Sequence, residues 1–217
     1  MSLSGMPVLN LSGIRKDFGN HQVLSIPEWS ISEGIYWIQG ENGAGKSTLF
    51  RVLAGMLPFS GQIVLDGNLD LRKDPVKYRL RVTLGEAEPL YPSFLTPADL
   101  VEFMVKTRKA AGNQARDLMD RFGITSYQHQ PVGACSSGMV KKLSLALSFL
   151  GAPRLIILDE PLITIDREAG ETLFGLIKEY REQSVTFLIS SHQVFTRGAI
   201  GLTRSFHLKN KDLVPAD

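Results

Sequence analysis

Four short stretches, residues 35–39, 81–84, 155–158 and 185–190, are apolar almost without a break and alternate with segments of helical periodicity. Strands buried on both faces of a parallel sheet have this pattern, because neither face meets water. Residues 8–14 and 62–66 instead alternate or are rich in β-branched side chains, with the turn residues Gly19-Asn20 and Asp66-Gly67 near them. They predict an antiparallel layer. Helical periodicity over 98–111 and 114–122, opened by Thr96-Pro97, interrupts the strand rhythm. The pattern predicts an α/β fold in a single domain. Residues 1–87 and 133–217 form the core, with a mixed or parallel sheet and an antiparallel β layer, and an α-helical subdomain is inserted over 88–132. No internal repeat or low-complexity segment disturbs that division.

The loop after the first apolar run reads Gly40-Glu41-Asn42-Gly43-Ala44-Gly45-Lys46-Ser47-Thr48, and an amphipathic run over 49–57 follows it. Between a strand and a helix, G-x-x-x-x-G-K-[ST] is a phosphate-binding loop. The backbone N–H groups of Gly40, Asn42, Gly43, Ala44 and Gly45 are the candidate cradle, and the helix opening near Gly45 adds the positive end of its dipole. Lys46 is expected to reach the β- and γ-phosphates as a point charge. The Ser47 hydroxyl is expected to complete the coordination of a Mg²⁺ that keeps several waters, while Thr48 supports the helix start.

The apolar strand at 155–158 delivers Asp159 and Glu160 at its C-terminal end, where open α/β sheets place their ligands. Asp159 is expected to hold the Mg²⁺, directly or through water. Glu160, projecting toward the γ-phosphate, is the candidate general base, a role worth on the order of 10²–10⁴-fold in rate.

Composition narrows the partners. The chain has 217 residues, 43% hydrophobic and 21% charged, with a formal net charge of +2, which excludes a disordered, strongly nucleic-acid-binding or membrane-coating protein. A single cysteine, Cys135, rules out an internal disulfide framework and fits a reducing compartment. No apolar run is long enough to span a bilayer and no signal segment opens the chain, so service to a membrane is expected to run through a partner. Cys135 is expected to act as a small hydrophobe, and Trp29 and Trp37 as core side chains.

Three further elements arrive in a fixed order. Cys135-Ser136-Ser137-Gly138-Met139 opens a helix through Lys141-Lys142-Leu143, Asp166 follows Glu160 after a short loop, and Ser190-Ser191-His192 closes a strand. Together with the loop and the acidic strand end, this order resembles the ATP-binding-cassette (ABC) ATPases over nearly the whole chain. Their pattern is a Walker A loop, a glutamine loop, an L-S-G-G-Q signature, a Walker B strand, a D-loop aspartate and a switch histidine.

The resemblance implies ATP and Mg²⁺ as cofactors and a head-to-tail pair of cassettes, in which each ATP lies between the Walker A loop of one and the signature of the other. Ser136 and the helix start at Gly138 would then bind the partner's γ-phosphate. His192 would contact the γ-phosphate and position water or Glu160. Asp166 would link the two sites, with a plain helix N-cap as the other reading. Phe18 occupies the place of an adenine-stacking aromatic, with an ordinary core Phe as the alternative.

Two departures from the family pattern concern chemistry. Ser137 stands in place of a glycine and Met139 in place of a glutamine, a variant similar to bacterial export-type ATPase subunits, and activity is expected to be retained. In the glutamine loop, Leu84-Gly85-Glu86 puts a carboxylate where the family has an amide; Glu86 is a candidate Mg²⁺ ligand, or else a solvated loop acid.

The expected function is an ATP-hydrolysing subunit that drives a separately encoded membrane permease, placed at the cytoplasmic face through that permease, with no direct nucleic-acid contact. The permease is expected to meet residues 87–95, where Pro89-Leu90-Tyr91-Pro92 and Phe94-Leu95 offer apolar anchors, with a hydrophobic plug under the helical subdomain as the other reading. The alternatives are a soluble ABC mechanoenzyme acting on nucleic acid or the ribosome, whose tandem cassettes or coiled-coil insertions are missing here, and a P-loop kinase, which leaves the signature without a task.

Overall fold

A computed structural model of the chain describes residues 7–191 and 200–216. Five strands run parallel: β3 (Ile35–Gln39), β6 (Val82–Gly85), β7 (Leu155–Leu158), β8 (Thr186–Ser190) and β9 (Arg204–Lys209). With β10 (Asp212–Pro215) antiparallel on β9, the sheet order is β10-β9-β3-β8-β7-β6. Alternate residues of these strands face two separate cores. Ile156, Leu158, Phe187 and Ile189 belong to one, and Leu155, Ile157 and Leu188 to the other. That two-sided burial explains the unbroken apolar runs.

The first core lies under helices α3 (Pro97–Arg108), α4 (Gly112–Arg121), α5 (Ser137–Ser148) and α6 (Arg167–Glu182). Helix α3 starts as Thr96-Pro97 predicts: the Thr96 hydroxyl accepts from the Asp99 N–H and the Asp99 carboxylate accepts from the Thr96 N–H. The helical layer continues past Val132, because α5 shares its core with α3 and α4. The Gln114 amide stitches α4 to the same layer through Phe149 O, Gly151 O and the Tyr180 hydroxyl.

The second core is closed by the antiparallel sheet β2-β1-β4-β5, formed by β1 (Leu9–Phe18), β2 (His21–Ile31), β4 (Ser60–Leu65) and β5 (Leu69–Asp70), and by helices α1 (Lys46–Leu53) and α2 (Pro75–Arg81). Strand β1 runs farther than residues 8–14 because a register shift at Lys16/Asp17 lets the polar Arg15-Lys16-Asp17 stretch stay paired with β2. Strands β9 and β10 escape the sequence pattern for another reason. Their two-residue turn, Asn210-Lys211, holds both residues at positive φ (51° and 71°) without a glycine to signal it.

Candidate active site

Strand β3 ends at Gln39 and the chain curls into α1 through Gly43 (φ 78°) and Gly45 (φ 103°). A Cβ on Gly45 would meet Val23 Cγ1 at 2.9 Å, so the left-handed backbone and the close approach of β2 both require glycine there. The first turn of α1 has no side-chain cap and no acidic residue. Its free N–H groups and the helix dipole therefore form a receptor for an anion. Lys46 is buried across the loop, its Nζ donating to Gly40 O at 2.7 Å and Glu41 O at 3.1 Å. Ser47 is exposed at the helix start and Thr48 half-buried.

This loop faces a cavity of about 900 Å³ lined also by Val23, Trp37 and the β9–β10 hairpin. Trp37 is thus a core side chain that also walls the cavity, and its indole N–H donates to Ser191 O at 3.2 Å. Phe18 lies at the end of β1 and is 50% exposed, with Lys16 Nζ 4.5 Å from the ring centroid. The core reading of Phe18 fails, and an exposed ring face remains.

At the end of β7, Asp159 and Glu160 are both buried. The Ser190 hydroxyl, on the neighbouring β8, donates to Asp159 Oδ1 at 2.5 Å and accepts from the Glu160 N–H at 3.0 Å. Glu160 takes φ 43°, a conformation that costs a non-glycine residue of order 1–3 kcal/mol and persists only when its surroundings enforce it. Ser190 supplies that enforcement. Its role had no local signal, since it becomes visible only when β8 is known to lie beside β7.

Lys141 on α5 is the other unforeseen member. It is 1% exposed, and its Nζ donates to Glu86 O (2.6 Å), Ala87 O (3.3 Å) and Asp159 O (2.9 Å). Burial lowers its pKa to about 8 against the pull of the Asp159, Glu160 and Glu86 charges. The Glu86 carboxylate itself is engaged by Arg51 of α1 at 2.7 Å. It is half-buried and paired, and ligation of a cation would exchange that pair.

Helix α5 starts at Ser137, with Ser136 as its cap: the Ser136 hydroxyl accepts from the Met139 N–H at 3.2 Å, and Met139 Sδ accepts from the Ser136 N–H at 3.4 Å. Met139 thus does the capping-box work of a polar side chain. Ser137 is exposed and leaves helical geometry undisturbed. Gly138 is the constrained glycine, because a Cβ there would lie 2.7 Å from Thr164 O. Asp166 caps α6 through the Ala169 N–H at 2.8 Å and accepts from Lys142 Nζ at 2.9 Å, which with the cap holds its carboxyl below the ordinary range. Cys135 is half-buried, and desolvation raises its thiol pKa, consistent with an inert side chain. His192 lies outside the described residues.

The site fits nucleoside triphosphate chemistry. The glycine loop provides an uncapped helix start for phosphate, and the Ser47 hydroxyl and the Asp159 carboxylate are oxygen donors of the kind Mg²⁺ takes, an ion that retains waters and needs few protein ligands. Among the described residues no three His, Cys, Asp or Glu side chains converge as an all-protein metal cage.

Comparison with known proteins places this geometry. A family model described as ABC transporter matches residues 26–163. The chain is 29% identical over 187 residues to the lantibiotic transport ATP-binding protein SrtF of Streptococcus pyogenes, covering 85% of this chain and 80% of that one. It is 34% identical over 161 residues to the ABC transporter ATP-binding protein NatA of Bacillus subtilis, covering 71% and 65%. Among solved structures, the ATP-binding subunit of an ABC transporter superposes with a TM-score of 0.83 at 21% identity, covering 95% of this chain and 88% of that one. The dimeric ATP-binding cassette MJ0796, in a post-hydrolysis state with ADP and Pi, does so with a TM-score of 0.77 at 19% identity, covering 94% and 96%.

Proposed function

The chain belongs to the ABC transporter family and is an ATP-binding, ATP-hydrolysing subunit of a transporter, and from that premise we propose how its residues divide the work. The observation that carries the proposal is the pairing of an uncapped, glycine-framed helix start with two buried acidic residues, one held by its carboxylate (Asp159) and the other by its backbone N–H (Glu160) on the same serine hydroxyl. Gly40, Asn42, Gly43, Ala44, Gly45, Lys46, Ser47 and Thr48 bind the phosphates, and Phe18 stacks on the base. Ser47 and Asp159 hold Mg²⁺, which when bound supplies charge neutralisation at the β- and γ-phosphates. Glu86 joins them only by exchanging Arg51. Glu160 accepts the proton of the attacking water, and His192, which lies outside the described residues, takes the part the family pattern gives it, contacting the γ-phosphate and positioning water or Glu160.

A second cassette completes each site by presenting Ser136, Ser137 and Gly138 to the γ-phosphate, and Asp166 lies at that junction. The dimeric neighbour bound to ADP and Pi supports this arrangement. No helix among the described residues is long and apolar enough to cross a membrane; the transport names of the relatives support a chain that acts at the cytoplasmic face through a separate permease. Residues 87–95 receive it. Leu90 is 90% exposed and Phe94 76%, while Tyr91 and Leu95 turn inward onto the helical core, so Leu90 and Phe94 are the anchors. The transport names of the relatives favour this reading over the nucleic-acid alternative.

Glu160→Gln tests the assignment. The variant is expected to bind ATP with parental affinity and accumulate as an ATP-bound dimer, with turnover reduced on the order of 10²–10⁴-fold. Hydrolysis at the parental rate would remove Glu160 from the role of base.

A further inference from the structure

Strands β6 and β7 leave the sheet side by side, tied by a last rung in which the Asp159 N–H donates to Gly85 O at 2.8 Å. Beyond that rung the chains part. One becomes the loop through Glu86 and Ala87 toward the exposed Leu90 and Phe94; the other carries the Asp159–Glu160 pair. Lys141 sits in the fork. Its ammonium has three protons, and all three have backbone carbonyl acceptors: two on the first branch (Glu86 O and Ala87 O) and one on the second (Asp159 O).

The helix that carries Lys141 is itself held at its start. Three residues earlier Gly138 packs directly on Thr164 O, and one residue later Lys142 pairs with Asp166. The exposed tip of the same helix is Ser136-Ser137. A displacement of that tip, of the Glu86–Ala87 loop or of the β7 end therefore stretches the same three hydrogen bonds. A neutral side chain offers at most two donors at this reach, and backbone carbonyls alone supply no counter-charge. The nearby Asp159, Glu160 and Glu86 carboxylates make a cation sustainable there.

We propose that Lys141 is a positioning residue that links the signature helix, the loop toward the permease and the catalytic carboxylates into one mechanical unit. It acts through Glu86, Ala87 and Asp159 without touching nucleotide. The inference rests on the proposed function of the site, and the experiment below separates the two.

Lys141→Met, close in length but without donors or charge, is compared with the parent by steady-state ATPase kinetics and by hydrogen–deuterium exchange with and without ATP. The expected result is a KM for ATP within about twofold of the parent and a kcat lowered on the order of 10–100-fold, since the binding loop is intact and the carboxylates are misplaced. ATP is expected to protect residues 40–48 in both proteins but residues 84–90 only in the parent. Lys141→Gln, which keeps two donors and loses the charge, is expected to recover part of both readouts; if the Met variant does not fold, the Gln variant carries the test. Parental kcat in the variant, a changed KM with unchanged kcat, or ATP-induced protection of 84–90 equal to the parent's overturns the proposal. A parent that fails to bind and hydrolyse ATP overturns instead the underlying reading of the site.

Discussion

Helix α1 begins at the chain's own proposed nucleotide site and helix α5 at the one proposed for its partner, and their first turns are built in opposite ways. Helix α1 follows a glycine at φ 103°, has no side-chain cap and leaves its N–H groups open, with Lys46 folded over the loop carbonyls. Helix α5 is capped by Ser136 and Met139 and anchored through Gly138, Lys141 and Lys142 to three other segments of its own chain. An uncapped start is a cost that binding an anion repays, so α1 is designed to hold a ligand. A capped and anchored start is already satisfied. Helix α5 presents only its exposed tip, and its chemistry toward a phosphate comes from how rigidly that tip is carried.

Lys46→Ala attacks the open end and has the largest expected effect. Removing the loop's mobile cation deletes charge-assisted hydrogen bonds worth roughly 1.5–3 kcal/mol each, so ATP affinity by calorimetry is expected to fall on the order of 10–100-fold or more with the fold retained. Equal affinity in parent and variant would end the phosphate-loop assignment and, with it, the contrast.

Gly138→Ala attacks the anchored end. A methyl group 2.7 Å from the Thr164 carbonyl cannot be accommodated without moving α5 or the loop before α6. The expected cost is about 1–3 kcal/mol, read as a fall in thermal midpoint of roughly 2–4 °C per kcal/mol, together with reduced turnover. A variant as stable as its parent would show that α5 is not pinned there.

Ser137→Gly probes the tip itself, and the expected change is the smallest. Ser137 is exposed at the first helical position, so stability is expected to shift by no more than about 1 kcal/mol. Loss of a flexible hydroxyl donor to the partner's phosphate is expected to lower ATPase activity by less than about tenfold. Higher activity than the parent, measured in the dimer with its permease, would mean that the Cβ crowds the nucleotide.

The amino-acid sequence by itself determined the features that rest on local chemistry. The glycine loop, the Thr96 helix start and the two-sided apolar runs at β3, β7 and β8 are legible because each depends on neighbours a few residues away. Strands β9 and β10 were not, because Asn210 and Lys211 make their turn without a glycine. The partners of the site residues were decided only in the folded protein. Arg51 finds Glu86 across 35 residues of sequence, Ser190 finds Asp159 across 31, and Lys141 finds Glu86 across 55. Nothing local distinguishes these side chains from surface residues of the same type. Their roles arise because parallel pairing sets β6, β7 and β8 side by side, so that residues distant in sequence meet at the strand ends, where burial leaves Ser190 and Lys141 no partner but another part of the same chain.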